Sequence, residues 1–138
     1  MGKTKMKEVI KFDIGDFCAD GHGKHDTILI QVTSPKDAIE SLEEAEEKIK
    51  TEFRIDLEKW FEEYEDRVIP MKDVKKLKKY DIKFDEDFLK NKGLVMYSVD
   101  DYFNIWKQLV MKVNTDIKIE EYAVRSFYGK CTGYGLYE

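Results

Sequence analysis

An α+β fold with a small, mainly antiparallel β-sheet is predicted by three observations. Apolar residues alternate at period two near the start of the chain, at Ile10, Phe12 and Ile14, and a β-branched run follows at 27–33. Helical spacing then governs most of 37–113, and strand-forming residues return at 121–128. Strands at both ends with helices between them suit a sheet made of an N-terminal hairpin and a C-terminal strand, packed against several amphipathic helices. The 138 residues fit one domain, 1–138. With 42 % hydrophobic residues, a chain of this size builds a core without needing disulfides or metal.

Each element has its own signal. Residues 7–17 read as a strand with one buried face, and 27–33 as a second strand. Between them, 19–26 holds two glycines flanked by Asp20 and Asp26, the composition of a turn or a longer hairpin connection. Ser34 is a candidate helix cap, with Pro35 at the first helical position and Asp37 in the first turn. Ile39, Leu42, Ala45, Ile49 and Phe53 follow at helical spacing. Asp56 is a candidate cap for a further helix with the stripe Leu57, Trp60, Phe61, Tyr64 and Val68, ended by Pro70.

Residues 71–83 predict a short solvated helix around Val74 and Leu77. Asp85 caps a short turn holding Phe88 and Leu89, with Gly93 as its stop. From Ser98, the apolar face Val99, Tyr102, Phe103, Trp106, Leu109, Val110 and Val113 predicts a core helix. The stretch 117–128 fits either periodicity; its tyrosines and valine favour a strand. The tail 133–138, with two tyrosines and a leucine, is expected to be docked.

Charge narrows the function classes. The net charge is −5 and the pI near 5.2, which argues against nucleic acid as the main partner. Only Arg54, Arg67 and Arg125 are arginines, so bidentate readers of bases or phosphates are scarce. Residues 34–70 carry a net −7, concentrated around Glu43, Glu44, Glu46 and Glu47. These four are the candidate partner-binding residues. Residues 71–83 carry +4, short for a nucleic-acid surface and with Tyr80 alone as a stacking platform. No stretch approaches the ~18–20 apolar residues of a membrane span. Two cysteines at opposite ends and no secretory pattern predict reduced thiols in the cytoplasm.

Reactive side chains concentrate in 15–26, which holds Cys18, His22, His25, Asp16, Asp20 and Asp26. A metal site would use Cys18, His22 and His25, with Cys131 completing a four-coordinate set and Asp16, Asp20 and Asp26 as alternate or outer ligands. Zinc or another divalent metal is the candidate cofactor. The spacing Cys-x₃-His-x₂-His matches no zinc finger, and the EF-hand pattern is absent. A phosphate loop at 21–24 lacks the Ser or Thr after its lysine and precedes a strand. Acid–base chemistry would pair His22 or His25 with Asp20 or Asp26, with Cys18 or Cys131 as nucleophile. The structural alternative is a tight loop satisfied by Asx turns and glycines, with surface histidines.

The motif Gly15-Asp16-x₃-Asp20-Gly21-His22-Gly23, together with Gly133-Tyr134-Gly135-Leu136, resembles a group of small bacterial or phage proteins. The resemblance covers these two motifs and implies no activity. It implies that the two ends of the chain lie together, which would bring Cys131 towards Cys18. The expected function is that of a small acidic protein acting through surface contact with a protein partner, as an accessory or inhibitor-type module. The alternative is a metal-binding protein or metal-dependent hydrolase centred on 20–26.

Overall fold

The computed structural model describes residues 6–14, 24–57, 59, 68–96, 99–128 and 132–136. Strands β1 (Met6–Ile14) and β2 (Lys24–Ser34) pair antiparallel, with Ile10 opposite Ile30. Helix α1 (Ala38–Lys48) follows and runs into a π-helical turn, Ile49–Phe53. Then come β3 (Val68–Pro70), α2 (Met71–Lys79), a 3₁₀ turn (Glu86–Phe88), β4 (Leu89–Lys90) and β5 (Gly93–Val95). Helix α3 (Val99–Val113), β6 (Lys118–Tyr128) and β7 (Thr132–Leu136) complete the chain. The larger sheet has the antiparallel order β6-β2-β1-β7, and the smaller the order β3-β5-β4.

The period-two pattern decides which sheet face is buried. Ile10 and Phe12 of β1, Ile28, Ile30 and Val32 of β2, and Ile119 of β6 are buried in one hydrophobic cluster under α1 and α3. The reverse face carries exposed Lys7 and Lys11 and half-buried Val9 and Gln31, as suits an antiparallel sheet with one wet side. Leu29 falls on that reverse face yet is only 1 % exposed, and it stands apart from the main cluster. Phe12 is the hinge of the core: its ring centroid lies 4.5 Å from Trp106, 5.1 Å from Phe103 and 5.8 Å from Tyr102. Offset and tilted aromatic contacts of this kind lock α3 onto β1 beyond simple burial.

Several expectations change at this level. Ser34 is the last residue of β2, and its hydroxyl donates to the Lys36 carbonyl, so Pro35 does not open the helix. Asp37 is the cap instead: its Oδ1 accepts from the Glu40 amide at 3.0 Å. Glu8 of β1 reaches the Ala38 amide at 2.8 Å, so two carboxylates serve the electropositive end of α1. β2 begins at Lys24, so His25 and Asp26 belong to a strand rather than to the preceding turn. Val68 starts β3 and does not end a helical stripe; the remainder of the helix expected there, with Trp60, Phe61 and Tyr64, lies outside the described residues.

Gly93 does not stop a turn. It opens β5 at φ +149°, and a Cβ there would lie 2.0 Å from the Ile69 carbonyl oxygen. Only glycine allows β3 and β5 to approach so closely. The ambiguous C-terminal stretch is a strand: β6 pairs with β2 over ten positions, with a bulge opposite Leu29 and Ile30 that skips Tyr122. The tail is docked through 136, because β7 pairs with β1 from Ile14–Thr132 to Ile10–Leu136.

Candidate functional site

The acidic face is built on α1. Its inner stripe, Ala38, Ser41, Leu42 and Ala45, continued by Ile49, is buried, which turns the glutamates between these positions outward or sideways. Glu43, Glu44 and Glu47 are exposed. Glu46 is half-buried, and its Oε2 accepts from the Trp106 indole N–H at 3.0 Å. Of the four residues singled out in the sequence, Glu46 therefore has a structural task, satisfying the one polar atom of a fully buried tryptophan.

Nor do the four form one surface. Glu43, Glu46, Glu47 and Lys50 lie at i, i+3, i+4 and i+7 and line one cleft. Glu44 points to a neighbouring flank, where Lys36 Nζ donates to it at 2.7 Å and lies 3.9 Å from Glu40. The hydrogen bond to Glu44 raises the Lys36 pKa above its ordinary value. The opposite wall of the cleft comes from Ile55, Asp56 and Leu57, and the cavity measures ≈ 250 Å³. Asp56 could have been found only through the fold, because the left-handed Arg54 (φ 57°) turns the chain back after the π turn.

Cys18, His22, Asp16 and Asp20 lie outside the described residues, as does Cys131. His25 and Asp26 sit in β2 at register positions opposite Phe127 and Ser126. Ile14 pairs with Thr132, and Lys24 pairs with Tyr128. Ile14, Lys24, Tyr128 and Thr132 therefore lie at the same end of the sheet, and the first and last strands are brought side by side. Among the described residues, no group of three or more His, Cys, Asp or Glu side chains is arranged to hold a metal.

The basic segment is largely self-occupied. Lys76 Nζ donates to the Arg54 carbonyl at 2.6 Å and lies 3.5 Å from the buried Asp73. Lys78 lies 3.7 Å from Glu86, and Lys79 lies over the Tyr80 ring. Among the described residues, no helix is long and apolar enough to cross a membrane. Comparisons with protein-family models, curated proteins and solved structures give no match.

Proposed function

We propose that this chain is an interaction module that receives a basic segment of a protein partner along the cleft beside α1, acting in the cytoplasm. One observation carries the reading. Carboxylates from two separate segments, Glu43, Glu46 and Glu47 on α1 and Asp56 across from them, line a single cleft against one amine, Lys50. The apolar wall of Ile55 and Leu57 suits the methylene stem of a lysine or arginine whose head meets the carboxylates. Charge of this kind steers association and sets its salt dependence more than its final affinity.

The test uses an oligo-arginine peptide as probe. Binding is expected to weaken steadily as salt shortens the Debye length from ~10 Å towards ~3 Å. Glu43→Gln with Glu47→Gln is expected to weaken binding by about three- to tenfold at low salt, while Glu120→Gln on β6 leaves it unchanged. Equal losses from both sets would mean a diffuse charge effect and would end the reading.

A second reading, a metal-binding protein or metal-dependent hydrolase, is supported by the pairing of Ile14 with Thr132 and of Lys24 with Tyr128, the described residues that flank the sequence segments carrying Cys18, His22 and Cys131. Elemental analysis and native mass spectrometry of untagged protein test it. A stoichiometric zinc or other divalent ion, lost in His25→Ala, is expected on this reading. Metal-free protein indifferent to chelator would sink it.

A further inference from the structure

We propose that a pocket between α3 and the Phe84–Phe88 turn binds a small organic cation with a ring-sized apolar body. The pocket does not depend on the α1 cleft. Its floor is Leu94, Met96 and Ile105, each at most 3 % exposed, and its aromatic walls are Phe84 and Phe88. Asp85, Asp101 and Asn104 supply the polar rim. The volume is ≈ 210 Å³, below the ~300–1,000 Å³ of sites for drug-sized ligands. The occupant is therefore a single ring or branched apolar group with a short arm.

The walls are held in place. The Lys83 amide donates to Gln108 Oε1 at 2.7 Å, and Gln108 Nε2 returns a bond to the Lys83 carbonyl at 2.7 Å. Asn104 Nδ2 adds a third bond to the same carbonyl at 3.3 Å. These bonds pin the start of the turn to α3, so the cavity is pre-formed, which lowers the ordering cost of binding.

Charge selects the ligand. Two carboxylates and no cationic side chain are found among the described lining residues. The nearest lysine in sequence, Lys83, directs its Nζ to Asp81 at 2.7 Å. Asp101 lies in the first turn of α3, where the helix end offsets part of its charge; Asp85 caps the 3₁₀ turn, its Oδ1 accepting from the Asp87 amide at 2.9 Å. A cation that meets the face of either phenylalanine ring would gain further. An amine, not a carboxylate or phosphate, is the group this rim accepts.

The probe is benzylamine, with benzyl alcohol and benzoate as neutral and anionic counterparts of similar shape. Backbone amide NMR shifts are followed in the unaltered chain. Benzylamine is expected to move Leu94, Met96 and Ile105 and to bind about three- to fivefold more tightly than benzyl alcohol, with benzoate weakest. Asp101→Asn is expected to reduce the advantage of the amine while leaving benzyl alcohol unchanged. Equal binding of amine and alcohol overturns the charge assignment. Shifts outside the pocket, or none at millimolar probe, overturn the site. Because the charge series is run on the unaltered chain, the result stands whether or not the Asn variant folds.

Discussion

Glu46 shows how one side chain is claimed by the fold. It looks like one carboxylate in an acidic run, but its Oε2 is the partner of the buried Trp106 indole. Replacing Glu46 with Gln keeps an acceptor and is expected to change stability little. Glu46→Leu leaves the indole N–H unsatisfied and is expected to cost about 1–3 kcal/mol by urea unfolding. Ser41 is the reverse case. Its hydroxyl is buried in α1 with no hydrogen-bond partner, so Ser41→Ala is expected to hold or raise the unfolding midpoint. A lower midpoint would reveal a bond at this hydroxyl that the structure lacks.

Asp81 adds a pH dependence at the same scale. The hydrogen bond from Lys83 holds its carboxyl below the ordinary value of 3.8. The folded form therefore favours the ionised carboxyl, so this contribution is present above pH 3.8 and is lost as pH falls through the depressed value. The pair is exposed and its effect small. Asp81→Asn, which tolerates the left-handed φ of 60° at this position, is expected to lower the midpoint slightly at pH 7, with the difference shrinking as pH falls below 3.8. A difference that stays constant across the acid range would assign the effect to packing.

At the scale of elements, the small sheet depends on one glycine. The approach of β3 to β5 at Gly93 leaves no room for a Cβ against the Ile69 carbonyl. Gly93→Ala combines that clash with a positive φ and is expected to cost about 2 kcal/mol or more, read from denaturant midpoints. A cost under ~0.5 kcal/mol would mean that the strands part easily. The main elements were legible because their periodicities were long: Ile10–Phe12 for β1, and the Tyr102–Val110 stripe for α3. Ile105, buried beside that stripe, was missed because α3 is covered on more than one side. The small sheet went unread because its strands have only two or three residues, too few for any period to register.

For the whole molecule, the last strand closes the larger sheet. β7 covers the edge of β1, placing the first and last strands side by side. Removing residues 132–138 strips that ladder and is expected to destabilise the chain by roughly 2–5 kcal/mol, at about 1 kcal/mol per net backbone bond lost. It also exposes β1 as an edge, so light scattering is expected to rise with concentration. A truncated chain that unfolds at the parent midpoint would show that β7 contributes nothing. The opposite edge, β6, is interrupted by the bulge at Tyr122, which is 59 % exposed. Such an irregularity discourages continuous pairing with another strand.

The sequence alone determined the fold class, the buried face of β1, α1 and α3 and the concentration of acid on α1. These follow from local periodicity and charge, which a linear chain carries explicitly. Tertiary structure decided which carboxylates share a cleft, that Glu46 also serves Trp106, and that Asp56 faces α1. It also decided that Ile14, Lys24, Tyr128 and Thr132 meet at one end of the sheet, and that Phe84 and Phe88 wall a pocket with Asp101. Each of these joins residues far apart in sequence, and such proximities arise only when packing brings separate elements together.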